Sequence, residues 1–257
     1  NKWHRHTAVR LLGERKDTAA TPRLKALLAR DPGLSALNAL WALHQSIGLD
    51  QNMTLQALKH PYAPVRMWAV RLAGDRRPLS RALAEAIEFQ ARAEPDAEVR
   101  SQMACSARRL PPGQGLPIVV ALLARAEDLN DPYQPQLCWW AIESWSAGYR
   151  DAILDVFRGA ALWDQPMVFQ HILPRLMRRY ALEGRRQDLL TCAQLLRLAP
   201  TPQHAGPLLK GFEEAYRGRS MSALPDELAA AIDAVGQSPL PVRVRRGEAA
   251  AVAEALK

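Results

Sequence analysis

AVRLLGERKD, residues 8–17, returns almost unchanged as AVRLAGDRRP, residues 69–78. The copies lie 61 residues apart, about two units of 30. Like segments at a fixed spacing mark an array of small units rather than one irregular core. A second signal runs along the chain: a polar residue, a proline, then a helical pattern. It stands at DPGLSAL (31–37), HPYAPVR (60–66), EPDAEVR (94–100) and DPYQPQL (131–137). DQPMVFQ (164–170), TPQHAGP (201–207) and SPLPVRV (238–244) continue it more loosely. From Pro32 through Pro61, Pro95, Pro132, Pro166 and Pro202 to Pro239, the mean step is about 34.5 residues.

That step has room for two short helices and two turns. The first helix of each unit follows its proline, as in SALNALWALHQS, PVRMWAVRLAG, EVRSQMACSARRL, PQLCWWAIESW and PMVFQHILPRLMRRY. The second follows a short break, as in PRLKALLAR, TLQALKH, SRALAEAIEFQARA, PIVVALLARAED, AILDVFRG and DLLTCAQLLRL. Proline suits a first helical turn, where its missing N–H would have no partner anyway. Asp131 and Asp164 stand where N-caps belong. Gly13, Gly33, Gly48, Gly113, Gly148 and Gly184 read as helix stops. The one strand-like stretch, PLPVRVRRG near residue 240, is short and leads back into helix. One helical pair cannot bury its own apolar face, but stacked pairs share a continuous core. The expectation is an all-α chain, an α-solenoid of about seven to eight antiparallel helical pairs over 1–257 as one domain.

The motif polar–Pro–x–x–x–Val–Arg, at His60–Arg66 and Glu94–Arg100, resembles the HEAT-repeat signature. In that family the Val is core and the Arg pairs with an acidic turn residue of a neighbouring unit. Positions 37 and 137 carry Leu, so only two copies keep Val–Arg. Longer stretches, WHRHTAVRLLGERKD, LKALLARDPGLSALNALWALHQSIGLD, DPYQPQLCWWAIE and PRLMRRYALEGRRQDL, resemble the HEAT region of large exported proteins of planctomycetes and relatives. These are PVC-type haem-binding proteins and membrane-bound dehydrogenases. In them a β-propeller precedes the helical region and a c-type cytochrome with a CxxCH motif follows it. This chain has neither part, so no catalytic or haem residue carries over. The resemblance implies a connecting or docking solenoid, partnered by a propeller or cytochrome domain, in an exported or periplasmic setting.

Bulk properties narrow the classes further. Hydrophobic residues make up 48% of the chain, enough for a sizeable core. No run approaches the roughly 18 apolar residues of a membrane span. NKWHRHTAVR is charged from its start and is not a signal peptide. The chain opens without Met and closes on AVAEALK, inside an amphipathic pattern, so a piece of something longer is expected. Net charge is +8, and only six of the 34 basic residues are lysines. Such a balance fits nucleic acid, anionic lipid or an acidic partner, or simply arginines spread over solvated helix faces. Cys105, Cys138 and Cys192 form no CxxC and read as small buried hydrophobes.

Candidate contact residues come from two helices. From Leu137, the apolar positions Trp140, Ala141, Ser144 and Trp145 form a stripe at i+3, i+4, i+7 and i+8, which makes Trp140 and Trp145 core. Trp139 then falls beside Glu143 on the polar side, as a recognition aromatic. Arg175, Arg178 and Arg179 share a face with His171, opposite Phe169, Leu173, Leu176, Met177 and Tyr180. Guanidinium forks there suit phosphate, carboxylate or an acidic partner, although cations also favour a helix C-terminus. Pro174 inside that helix should kink it. His4 and His6, two apart, do not face each other, and His44, His60 and His204 read as isolated. HExxH, GxSxG, P-loop and GxGxxG motifs do not occur. No cofactor, metal or enzymatic activity is expected. The leading expectation is a non-catalytic docking scaffold. The alternative is a basic HEAT-like nucleic-acid-binding protein of the alkylpurine DNA glycosylase type. A third reading, a chromophore-lyase-like HEAT protein, needs an acidic catalyst in a cavity and has no motif behind it.

Overall fold

At three of the polar–proline steps an aspartate caps the helix that follows. Asp31 Oδ1 accepts from the backbone N–H of Gly33 at 2.8 Å and of Ala36 at 3.4 Å. Asp96 Oδ1 accepts from Val99 at 3.1 Å, and Asp131 Oδ1 from Tyr133 and Gln134 at 2.8 Å each. These oxygens serve N–H groups that lack a helical partner. Asp50 and Ser80 do the same for second helices, at Met53 and Leu83. The computed structural model describes residues 1–16, 18–218, 224–236, 240–245 and 247–256. It is all-helical, with no strand among the described residues, and its helices pack in neighbouring pairs. The stretch near residue 240 is helical over Leu240–Arg245, while Pro239 and Arg246 lie outside the described residues.

Two compact units divide the chain, Asn1–Leu122 and Leu123–Lys257. The first holds α1 (Lys2–Arg15), α2 (Thr21–Arg30), α3 (Leu34–Ser46), α4 (Gln51–Leu58), α5 (Ala63–Asp75), α6 (Arg81–Ala91) and α7 (Ala97–Ala107). Helix α8 (Pro112–Leu123) runs to its boundary. Helices α1, α3, α5 and α7 pack one on the next as a first row. Helix α4 packs on α6 in a second row, and α2, α4 and α6 each pack on the first-row helix that follows them. Trp41 and Trp68 meet edge to face at 5.1 Å, joining α3 to α5.

The opening motif builds one contact twice. Gly13 and Gly113, expected as stops, lie inside α1 and α8. A Cβ on Gly13 would stand 2.8 Å from Gln45 Cβ, and one on Gly74 would stand 3.0 Å from Ser106 Cβ. Within each pair the residues are 32 apart, and the two pairs are 61 apart. The glycine closing AVRLLG and AVRLAG therefore lets one first-row helix approach the next. Gly48 and Gly184 do act as stops, at φ of 78° and 67° where a Cβ would be strained.

The arginine of the HEAT-like motif also works twice. Arg66 Nη1 donates to the carbonyls of His60 at 2.9 Å and Pro61 at 3.0 Å. Thirty-four residues on, Arg100 Nη1 donates to those of Glu94 at 3.0 Å and Pro95 at 2.9 Å. Arg66 forks onto the Glu94 carboxylate through Nε at 3.0 Å and Nη2 at 2.5 Å. His60 ties back to the preceding turn, its Nε2–H donating to the Asp31 carbonyl at 3.1 Å. Burial pushes the Glu94 carboxyl up, but Arg66, Gln90 and the Asp96 N–H more than offset that and hold it below the usual carboxylate range.

The second unit holds α9 (Gln134–Ser146), α10 (Arg150–Val156), α11 (Ala160–Trp163), α12 (Leu173–Glu183), α13 (Arg186–Leu198), α14 (Pro202–Ala215), α15 (Asp226–Ala234), α16 (Leu240–Arg245) and α17 (Ala249–Ala255). Helices α9, α12 and α14 pack in sequence, as do α10, α13 and α15, and α16 lies on α17. Trp163, Tyr180, Phe157 and Phe212 fill the core. Pro174 cannot donate to the preceding turn, and its ring crowds the carbonyl four residues back. The chain answers with a π turn over Val168–Ile172, just ahead of it. The Pro174 carbonyl then points at α14, where only glycine fits: a Cβ on Gly211 would stand 2.0 Å from that oxygen. Asp164, expected as a cap, instead pairs with His204 at 3.0 Å.

Two predictions follow from these joints. Gly211→Ala should lower the melting temperature of the second unit sharply, because backbone opposes the new methyl. Gly113→Ala, with nothing within 4 Å, should leave stability unchanged or raise it by about 0.5 kcal/mol. Because the folded-state pKa of Glu94 is depressed, its stabilisation is complete above the unfolded value near 4.5 and is lost as pH falls below it. Denaturant titrations should show Arg66→Ala losing about 3 kcal/mol at pH 7, with the gap to the parent protein narrowing towards pH 3.

A candidate docking surface

The tryptophan pair resolves opposite to expectation. Trp139 is 6% exposed and Trp140 is 43% exposed. The buried stripe of α9 passes through Gln134, Cys138, Ala141 and Trp145, with Pro135, Trp139, Ile142 and Ser146 beside it. It is the expected stripe moved on by one residue, about 100° around the helix. Two polar residues, Gln134 and Ser146, sit in the buried arc and hid its direction. The arc is broad because α9 packs on α10 and also on α12 with its π turn. Trp139 is thus a packing residue, and the outward aromatics here are Trp140 and, at the N-cap position just before α9, Tyr133.

Among the basic candidates, two are tethered inward. The His171 Nε2–H donates to the Leu129 carbonyl at 3.2 Å, and burial followed by the Arg175 guanidinium holds its pKa below the ordinary imidazole value. Arg175 Nη1 donates to the His171 carbonyl at 3.1 Å, and burial lowers its pKa too. Arg179 binds Glu183 one turn on and lies 3.9 Å from Glu143 across on α9. Glu183 also accepts from Arg185 at 2.7 Å, and the hydrogen bond from Arg179 leads the causes that hold its carboxyl below the usual range. The structure therefore joins Glu143 to Arg179 and His171 to Arg175. Arg178 alone is exposed with no hydrogen bond or ion pair among the described residues. Phe169, expected as core, is 36% exposed, because the π turn rotates it outward.

Other expectations change as well. Cys138 and Cys192 are buried, whereas Cys105 is exposed. His204 is not isolated: its ring lies 2.9 Å from the Thr201 hydroxyl and 3.0 Å from Asp164, between the rings of Trp163 and Phe169. Thr201 and His204 are three residues apart on the first turn of α14, so this chain of groups ties the turn after α11 to that helix.

Two sizeable openings lie elsewhere, along the second row of the first unit. A groove of about 690 Å³ runs between α4 and α6, with Leu55, Pro61, Phe89, Ala93 and Pro95 on its walls and the Arg66–Glu94 pair in its floor. A neighbouring groove of about 580 Å³ runs between α2 and α4, lined by Lys25, Leu28, Met53 and Ala57. Lys59 and the His60–Pro61 turn border both. Phe89 is 77% exposed. The sequence did hold a signal for it. The stripe of α6 is Leu83, Ile87 and Ala91, and Phe89 stands two residues from Ile87, about 200° around the helix. A large aromatic opposite the core stripe has no intramolecular reason to be there.

The chain matches no protein-family model, no curated protein and no solved structure.

The α9 geometry makes a sharp forecast. Trp139→Ala should cost about 3–5 kcal/mol in denaturant unfolding, whereas Trp140→Ala should cost under about 1 kcal/mol. Equal losses would return the stripe to its expected place.

Proposed function

We propose that the chain is a non-catalytic docking scaffold, a HEAT-like α-solenoid whose stacked helical pairs hold out an extended contact surface. One observation carries this reading: the same inter-helix joint is built twice, at Gly13 with Gln45 and at Gly74 with Ser106. An array that remakes one joint at fixed intervals grows by adding units, and its outer helices present rows of grooves. The paired brackets of Arg66 and Arg100 on successive proline turns support it.

The partner comes from resemblance. WHRHTAVRLLGERKD and DPYQPQLCWWAIE resemble the helical region of exported haem-binding dehydrogenases, so the surface would seat a propeller or a c-type cytochrome domain of one larger polypeptide, in a periplasmic setting. Haem and catalytic residues would belong to those domains, and the scaffold itself would hold no cofactor. The net charge of +8 favours the alternative, nucleic acid. Against it, several arginines are already paired with a carboxylate three or four residues away, at Arg10–Glu14, Arg81–Glu85, Arg92–Glu88 and Arg158–Asp155.

Small-angle scattering tests the architecture: a radius of gyration clearly above the ~18 Å of a compact globule of this length is expected. Calorimetry tests the role. The chain, titrated with separately expressed domains encoded beside it, should form a micromolar or tighter complex with one of them. No such complex, together with duplex DNA binding that falls steeply with salt, would replace the scaffold with the alternative.

A further inference from the structure

We infer that the paired grooves flanking α4 take an acidic amphipathic helix, with Phe89 as the main apolar anchor. The inference rests on the docking role proposed above and names the partner chemistry of one of its surfaces. Three observations carry it. First, the grooves are apolar and open, and at about 690 and 580 Å³ each has room for several side chains. Second, Phe89 presents its ring at the lip of the larger groove with 77% of its surface in water, while its own helix buries the opposite face.

Third, the uncompensated charge around the grooves is positive. Glu94 is held by Arg66 and Glu85 by Arg81 at 2.7 Å, which leaves two lysines against one free carboxylate, Asp50, whose cap bond from the Met53 N–H does not cancel its charge. Lys25 and Lys59 are exposed and make no hydrogen bond or ion pair among the described residues. These are two of only six lysines in the chain, and Lys59 borders both grooves. An apolar channel rimmed by free ammonium groups selects apolar residues flanked by carboxylates. The occupant is a helix because a groove between neighbouring helices is shaped for a third helical ridge. Helices packed about 10 Å apart place adjacent grooves at that spacing, which side chains at i and i+7 span, since seven residues rise about 10.5 Å.

The test uses the full chain and two synthetic peptides of about 18 residues, long enough for partial helicity. Both carry Leu at i, i+3 and i+7; one has Glu on the flanking positions, its twin has Lys. Fluorescence anisotropy should show saturable binding of the Glu peptide, weakened by salt, and much weaker binding of the Lys twin. Phe89→Ala should weaken the Glu peptide roughly tenfold or more. The exposed double change Lys25→Glu with Lys59→Glu should reverse the preference between peptides. Equal affinity for the twins, or an unchanged affinity in Phe89→Ala, overturns the inference. If the chain still binds an adjoining parent domain while Phe89→Ala leaves that complex untouched, the scaffold role stands and the groove assignment falls. If neither peptide nor domain binds, both fall.

Discussion

A two-helix hairpin of some thirty residues carries more apolar side chain than it can cover. That shortage organises everything else in the molecule. Each hairpin must lend its uncovered side to the next, so the useful residues are those that bring helices of successive pairs close. Gly13, Gly74 and Gly211 are such residues, because a methyl group at any of them would meet the neighbouring helix within 3.0 Å. At the first two the neighbour includes a Cβ, of Gln45 or Ser106, which moves only with its own backbone. At Gly211 it is the Pro174 carbonyl, which cannot move without the helix.

Close stacking creates a second problem, which polar residues solve. Turns between helices bring carbonyls and carboxylates into the packed layer, and buried polar groups left alone are costly. Arg66 answers with three donors at once, serving two carbonyls and a carboxylate whose side chain is 1% exposed. In the second unit Arg150 meets an equally buried carboxylate, with Nε at 3.1 Å and Nη2 at 2.5 Å from the same oxygen, Asp188 Oδ1. A lysine could not replace Arg66, since one ammonium cannot fork onto a planar carboxylate while holding a carbonyl.

The helices were legible because proline, aspartate and apolar spacing agree at each start. EVRSQMACSARRL, for instance, matches α7 to within a few residues at either end. What escaped was the direction each helix faces. A period of 3.6 gives a stripe, but a helix covered from two sides buries a broad arc, and its centre depends on the neighbours. That is why Trp139 and Trp140 exchanged roles. The π turn before Pro174 is a related case: one widened turn rotates Phe169 outward, and no periodicity argument contains it. Of the candidate site, the Glu143–Arg179 and His171–Arg175 associations were within reach of helical spacing and charge. Phe89 and Lys59 were within reach too, but only by asking which residues the core stripe of α6 and the end of α4 leave unexplained.

Net charge is a poor guide to partner chemistry here, and the structure says why. Several arginines are already bound, to carboxylates three or four residues away or to carbonyls of the turns. A guanidinium paired with a carboxylate cancels in the sum, and one held by turn carbonyls keeps its charge but turns its donors inward, so the excess of eight does not show where a partner would bind. Lysines make fewer such fixed contacts, because a strongly hydrated ammonium gains less from leaving water. The scarce lysines can therefore tell more about recognition than the abundant arginines. Lys25 and Lys59 stand free beside apolar grooves, so the chemistry they favour is a carboxylate next to an apolar side chain rather than a bare phosphate backbone. A polyanion would need a continuous track of free cations, whereas two ammonium groups around an oily channel match the flanks of a single amphipathic segment.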